Sequence, residues 1–243
     1  MIEPELKGKN IAIVAMGESQ LDFHLSLIHS NKYDEVWSIN CMGAIVKSDR
    51  VFMLDPPSRF LDTDDAGTQT GIMREWLPNT DTPIYTCTLD YRVPSSILYP
   101  LEEVVRATDC AYLNNTVPFA FAYAIYQQVG CINLFGIDFS YKGNLHFAEA
   151  GRACCEFWLA KCIERGIEVK VGARSGLLDT NVPIEERVYG YHRLDDPDIM
   201  VLDNGEFRQI KLSEYNNRIY QENLKNVKEF RTILDSPPEA KRY

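Results

Sequence analysis

Residues 114–171, NNTVPFAFAYAIYQQVGCINLFGIDFSYKGNLHFAEAGRACCEFWLAKCIERGIEVKV, decide the fold class of this chain. The apolar run Cys131–Phe135 has a glycine on each side, which is typical of a strand buried on both faces of a parallel sheet. Helical patterns flank this strand on both sides. Gly136, Asp138 and His146 follow its carboxyl end, where open α/β sheets bind their ligands. The stretch therefore predicts both an α/β fold and the place of a site.

The rest of the chain alternates strand and helix patterns. This spacing predicts a doubly wound, Rossmann-like α/β fold, with a mostly parallel sheet and helices on both faces. Strands are predicted at 11–15, 35–39, 51–54, 84–86, 132–135 and 168–171. Helices are predicted at 21–30, 72–77, 101–107, 118–128 and 149–165, with a long loop at 56–71.

The carboxyl-terminal segment differs in character from this domain. We predict a nucleotide-binding α/β domain at 1–187 and a segment at 188–243 that acts as a lid or in oligomerisation. The segment contains a possible hairpin around Asn204-Gly205 and a charged helix at about 213–234.

Composition excludes several functional classes. With 243 residues, 45% of them hydrophobic, the chain can bury a substantial core. Its formal charge of −10 disfavours broad binding to nucleic acid or to a membrane, which needs many Lys and Arg contacts. Seven cysteines without paired CxxC spacing indicate reduced thiols. No apolar signal-peptide core and no run near the roughly 20 residues of a bilayer span is found, so we expect a cytoplasmic protein.

A strand, a glycine turn and a helix follow one another near the amino terminus. The strand at 11–15 ends at the turn 16–19, MGES, and a helical pattern follows. Gly17 lets a backbone N–H approach a ligand, and Ser19 or Asp22 can cap a helix whose positive end faces an anion. The order is that of a phosphate cradle. A dinucleotide fingerprint needs three glycines, so an oxidoreductase is disfavoured.

Several polar motifs thus stand in a fixed order along the chain. They are Ala15 to Ser19, Ser38-Ile39-Asn40, Asp55, Asn114 to Val117, Gly136-Ile137-Asp138 and His146. This order resembles the bacterial sialyltransferase-like group, which includes CMP-sialic-acid transferases and "domain of unknown function 115" proteins, some of them 6-hydroxymethylpterin diphosphokinases. The resemblance covers about residues 10–172. Two positions depart from the family pattern, because Ala15 and Thr116 stand where the family has glycines.

The resemblance implies a sialyltransferase-like fold and a nucleotide site. By this resemblance the glycine turn contacts the nucleotide, and Asn40 binds the phosphate or ribose of the nucleotide. The turn at 114–116 binds the phosphates. Residues 136–138 hold the base or sugar, and His146 corresponds to the catalytic or ligand-positioning histidine. The complete set of candidate binding residues is Gly17, Glu18, Ser19, Asn40, Asp55, Asn114, Asn115, Thr116, Gly136 and Tyr141.

His146 and Asp138 are the candidate catalytic residues. A histidine with an ordinary pKa can act as a general base or acid near neutral pH, and Asp138 can orient its ring. Other interpretations stay open at this point. His146 can simply cap the helix that follows it, Asp138 can form an Asx turn, and Asn40 and Asn115 can satisfy local backbone groups.

Other side chains can assist at a phosphate. Tyr141, Tyr189 and Tyr191 are candidate hydrogen-bond donors, and Lys142 and Arg174 are candidate counter-charges.

We predict no dedicated metal site. The acidic run 62–65, DTDD, resembles the DxD motif of other glycosyltransferases, but acidic triplets in loops are usually solvated. Asp55, after the third strand, is the better ligand if Mg²⁺ is used. The histidines His24, His29 and His192 lack the spacing of a metal site.

We therefore expect a nucleotide-dependent transferase that moves a sugar from a CMP- or UDP-type nucleotide-sugar donor. One alternative is a Mg²⁺-dependent pyrophosphokinase acting on a small alcohol. Another is a non-catalytic protein that binds or sequesters a nucleotide. The expected partner is a small-molecule nucleotide with an acceptor that the sequence does not specify. A homo-oligomer through the carboxyl-terminal segment is possible.

Overall fold

The computed structural model describes residues 4–29, 31–139, 145–190 and 196–222. The chain divides into two compact units, one ending at Pro183 and one beginning at Ile184. The sequence placed this boundary at 187. No helix in the described part of the chain is long and apolar enough to cross a membrane.

A seven-stranded sheet forms the centre of the first unit, and every neighbouring pair of its strands is parallel. The strands are β1 (Asn10–Val14), β2 (Glu35–Ile39), β3 (Arg50–Phe52), β4 (Ile84–Thr86), β5 (Ser96–Leu98), β6 (Cys131–Phe135) and β7 (Glu168–Val171). Their order across the sheet is β5-β4-β3-β2-β1-β6-β7. The predicted α/β class with a parallel, doubly wound sheet is confirmed.

Six helices connect these strands. They are α1 (Leu21–Ile28), α2 (Ser58–Leu61), α3 (Gln69–Trp76), α4 (Leu101–Thr108), α5 (Thr116–Tyr126) and α6 (Leu145–Glu164). Short 3-10 turns lie at Glu18–Gln20, Asn40–Ala44, Leu77–Asn79, Leu177–Asp179 and Ile184–Glu186.

Alternate residues of β1 face opposite sides of the sheet. Ile11 and Ile13 belong to the larger hydrophobic cluster, which also contains residues of α5 and α6. Ala12 and Val14 belong to a smaller cluster with Phe23 of α1. All four strand residues are fully buried, as expected of a central parallel strand that helices cover on both faces.

The predicted loop at 56–71 was wrong in part, because it contains α2 and the start of α3. Phe60 anchors α2 in a buried cluster, and a single turn of helix is too short to produce a periodic pattern. Strand β5 was not predicted either. Two of its three residues, Ile97 and Leu98, are exposed, so the strand exists through its pairing with β4 rather than through a local pattern.

The chain leaves β1 and β6 toward opposite edges of the sheet. β1 leads through β2, β3 and β4 to β5, whereas β6 leads to β7. Parallel strands present their carboxyl ends at one edge, and a crevice opens there where the connections diverge. The junction of β1 and β6 is such a switch point.

The second unit contains an antiparallel hairpin of β8 (Asp198–Asp203) and β9 (Glu206–Lys211). Asn204 and Gly205 connect the strands with φ angles of 51° and 86°, as a two-residue type I′ turn requires. A helix follows over residues 212–222. The hairpin and the beginning of the helix are confirmed, and the predicted remainder of the helix lies outside the described residues. The role as a lid or an oligomer contact stays a prediction.

Candidate functional site

A cavity of about 620 Å³ opens at the carboxyl edge of the sheet, beside the junction of β1 and β6. Turns after four strands and the amino end of α5 form its wall. The lining residues are Ala15, Met16, Gly17, Glu18, Ile39, Asn40, Asp55, Arg59, Asn114, Asn115, Thr116, Val117, Gly136, Ile137, Asp138, Phe139 and Phe147.

Most of the predicted site residues meet at this cavity. Those that line it are Gly17, Glu18, Asn40, Asp55, Asn114, Asn115, Thr116, Gly136 and Asp138. Ser19 and His146 are not in the lining, and Tyr141, Lys142 and Tyr191 lie outside the described residues. Some of these lining residues lie more than a hundred positions apart in the sequence, and the fold brings them to one cavity.

The turn after β1 is joined to the turn after β6 by backbone hydrogen bonds. Gly17 N donates to Gly136 O at 2.8 Å, so this N–H is not available to a ligand. A Cβ atom on Gly17 would lie 2.7 Å from Gly136 O and even closer to Asp138 Oδ2. Glycine is therefore needed here so that the two turns can pack together, rather than to present its own N–H as the sequence suggested.

Ser19 and Asp138 reinforce this junction. Ser19 is fully buried, and its hydroxyl donates to Asp138 Oδ1 at 2.5 Å while its N–H donates to Asp138 Oδ2 at 2.8 Å. Ser19 Oγ in turn accepts from Gly136 N at 2.9 Å. Both oxygens of Asp138 thus hold the first turn in place. The prediction that Ser19 caps a helix was wrong, and the Asp138 carboxylate orients Ser19.

Asp22 and Arg174 form a separate pair. Two nitrogens of Arg174 donate to Asp22 Oδ1, and this hydrogen bonding raises the pKa of Arg174. Asp22 does not cap the preceding turn. Arg174 is not in the lining of the cavity, so the sequence-based role as counter-charge there receives no support from its position.

Asn40, directly after β2, has two unusual features. Its φ angle of 51° lies in the left-handed region, where residues other than glycine are uncommon. Its Oδ1 atom is buried and accepts no hydrogen bond from any of the residues that the structure describes. Asparagine adopts this region more readily than most residues, so the unpaired buried acceptor is the feature that indicates a ligand site, since a ligand can supply the missing donor. The alternative interpretation, in which Asn40 Oδ1 accepts from a nearby backbone N–H, is wrong.

The amino end of α5 faces the cavity with one set of unused donors. Asn115 caps the helix, its Oδ1 accepting from Val117 N at 3.1 Å, and Pro118 has no N–H. The N–H and hydroxyl of Thr116 donate to none of the described residues. Asn115 therefore satisfies local backbone, as one interpretation held, and Thr116 carries the capacity to bind an anion at the positive helix end. Helix α5 starts two residues earlier than predicted because Pro118 fits the first turn.

The side chains of Asn114 and Asn115 connect this end of α5 to α6. Asn114 Nδ2 donates to Ala150 O at 2.9 Å. Asn115 Nδ2 donates to Asn114 Oδ1 at 2.8 Å and to Gly151 O at 3.5 Å. The two asparagines thus position the helix end, and their role in binding a ligand stays a prediction.

Arg59 is a charged lining residue that sequence reasoning missed, and Phe139 and Phe147 are two aromatic ones. Arg59 Nη1 donates to Asp55 Oδ1 at 2.7 Å, and its Nε donates to Asp65 Oδ1 at 3.2 Å. The hydrogen bond to Asp55 raises the pKa of Arg59. No other Lys or Arg of the described chain lines the cavity. The available signal was the spacing of four residues between Asp55 and Arg59, a common distance for helical ion pairs.

The acidic run 62–65 consists of ion-paired carboxylates. Asp62 pairs with Arg92, and Asp64 pairs with Arg74. Within the described ranges, no group of three or more His, Cys, Asp or Glu side chains is arranged to hold a metal ion. The carboxylates of Asp62 and Asp64 in this run are therefore engaged by arginine side chains.

His146 is exposed in the first turn of α6, and its neighbour Phe147 lines the cavity. Its role as a general acid or base stays a prediction. Phe147 and Phe139 form an aromatic part of the wall, which suits the flat face of a nucleobase.

No protein-family model, curated protein or solved structure matches this chain. The resemblance to the sialyltransferase-like group accordingly stays a prediction.

Proposed function

We propose that this protein is a nucleotide-dependent transferase that takes a sugar from a nucleotide-sugar donor bound in the cavity. One observation carries the proposal. At the switch point of a parallel sheet, a single cavity combines unused donors at the amino end of α5 with the unpaired, buried Oδ1 of Asn40. Its volume of about 620 Å³ lies within the range of small-molecule sites.

Each part of the cavity has a proposed ligand group. The N–H and hydroxyl of Thr116 bind a phosphate oxygen, since both are donors at a positive helix end. Asn40 Oδ1 accepts from a ribose hydroxyl or a base amino group, because an ionised phosphate has no hydrogen to donate. Phe139 and Phe147 stack on the base.

The transfer forms a bond between the acceptor oxygen and the sugar carbon while the bond from that carbon to the phosphate oxygen breaks. The electron pair leaves with the phosphate, whose new charge the donors of Thr116 stabilise. A base removes the acceptor proton, and we propose His146 for this role. Glu18, the carboxylate next to Gly17 in the cavity wall, is the competing base.

A thermal-shift screen with CMP, UDP, GDP, ADP and their sugar conjugates tests ligand binding. A ligand at a hundred times its Kd adds about 2.7 kcal/mol to stability, which raises Tm by roughly 5–10 °C for a unit of this size. Asn40→Gly should lower the shift by about half without backbone strain, because it removes one hydrogen bond to the ligand and glycine accepts a φ of 51°. Asn204→Gly, at the same φ in the hairpin turn, should keep it. Equal melting with and without all of these nucleotides would refute the proposal.

Turnover assays separate the proposed reaction from its alternatives. Because Asp55 lines the cavity, a Mg²⁺-dependent pyrophosphokinase is the rival enzyme, and loss of activity in EDTA would favour it. His146→Ala should lose kcat while keeping donor affinity, whereas a purely sequestering protein would keep its biological effect in this variant. If Glu18→Gln loses kcat and His146→Ala does not, the base is Glu18.

A further inference from the structure

We propose that Arg59 forms a second anion subsite, so that the donor carries a second anionic group, a phosphate or a carboxylate, besides the one at Thr116. This inference rests on the proposed nucleotide function and extends it to the charge of the substrate.

The two anion-binding groups belong to different parts of the cavity wall. Thr116 stands at the end of α5 that Asn114 joins to α6. Arg59 lies beyond β3, and its partner Asp55 follows that strand. We assign one anionic group of the ligand to each of these separate elements of the wall, so a ligand that uses both has two anionic groups.

The guanidinium of Arg59 is held in place and still has donors to offer. An arginine has five N–H donors in a fixed plane. Asp55 takes one from Nη1 and Asp65 takes the one on Nε, while Nη2 donates to none of the described residues. About 38% of the side chain is exposed, so a ligand can reach it. Two carboxylates thus orient a fork that suits a phosphate or a carboxylate.

The charges around the cavity favour this assignment. The lining contains three carboxylates, those of Glu18, Asp55 and Asp138, and they repel an anion. Among the described lining residues, Arg59 is the one cationic side chain, and although Asp55 and Asp65 share its charge, its Nη2 donors are not used by either of them. An anion away from the end of α5 therefore binds at Arg59.

The experiment compares Kd values by isothermal titration calorimetry for the full chain and its Arg59→Gln variant. The probes are cytidine, CMP, CDP and a CMP conjugate of a carboxylate-bearing sugar. Removing a charge-assisted hydrogen bond should weaken the doubly anionic ligand about tenfold or more, and should change cytidine and CMP by less than about threefold. Selective loss for CDP identifies a phosphate at the subsite, and selective loss for the conjugate identifies a carboxylate.

Two further variants complete the test. Arg59→Lys keeps the charge without the planar fork and should show an intermediate loss. Arg152→Gln is the matched control, because Arg152 also pairs with two carboxylates, those of Glu156 and Asp179, but lies outside the cavity lining, so every Kd should stay unchanged. The second subsite is overturned if Arg59→Gln weakens CDP and the conjugate no more than it weakens cytidine and CMP. The proposed function stands in that case, because the unmodified chain still binds these nucleotides. If the unmodified chain binds none of the four probes and none of the nucleotides of the thermal-shift screen, both proposals are overturned.

Discussion

Replacing Ser19 by alanine removes the hydroxyl that joins the turn after β1 to the turn after β6. In the folded chain this hydroxyl donates to Asp138 Oδ1 at 2.5 Å and accepts from Gly136 N at 2.9 Å. Ser19→Ala leaves the bond from Ser19 N to Asp138 Oδ2 intact, so the carboxylate keeps one partner. The buried N–H of Gly136 loses Ser19 Oγ as its hydrogen-bond acceptor.

The size of the effect follows from these two bonds. A hydrogen bond to a charged group contributes about 1.5–3 kcal/mol, and an unsatisfied buried N–H costs about 1–3 kcal/mol. Contributions that share one atom are not fully additive, so we expect a loss of about 3 kcal/mol in the free energy of unfolding. This is a large part of the roughly 5–15 kcal/mol of a typical domain. At about 2–4 °C per kcal/mol, Tm should fall by roughly 6–12 °C.

Thermal and urea unfolding followed by circular dichroism measure this loss, with Ser95→Ala as the matched control. Ser95 Oγ is also buried, but it has no hydrogen-bond partner among the described residues. Its removal should therefore leave stability unchanged or raise it slightly. A Ser19→Ala variant that melts within about 2 °C of the unmodified chain, together with an unchanged Ser95→Ala, would show that the junction of the two turns does not depend on this hydroxyl.

Two further predictions concern ion pairs away from the cavity. Arg50→Gln leaves the mostly buried carboxylate of Glu35 without its guanidinium and should cost about 3 kcal/mol in urea unfolding, whereas Arg218→Gln at a surface pair should cost less than about 0.5 kcal/mol. Hydrogen bonds from Arg92 lower the pKa of Asp90 from 3.8 to about 2, so the stabilisation is complete above pH 4 and is lost as pH falls through 2. The urea midpoint should decline less over this interval in Asp90→Asn; an identical decline in both proteins would contradict this reasoning.

The fold was predictable where its signal is local. Strands β2, β4 and β7 were predicted with the bounds that the structure shows, because apolar residues mark β2 and β4 and an alternation of charged and apolar residues marks β7. The hairpin at Asn204-Gly205 follows from the preference of these residues for positive φ. α2 was missed because one turn of helix has too few positions for a period to appear, and β5 was missed because two of its three residues are exposed.

The sequence by itself determined that this chain forms a parallel α/β sheet and that its polar motifs follow strand ends, since both depend on side-chain order over a few neighbouring residues. Only the tertiary structure decided what those motifs do. The hydrogen bonds between Ser19 and Asp138 join residues 119 positions apart. The Oδ1 atom of Asn40 is buried without a partner in the described part of the chain because of the residues that pack around it. Arg59 lines the cavity because α2 is placed beside it. Hydrogen bonds of this kind depend on three-dimensional positions that strand register and helix packing set together, and no local pattern records them.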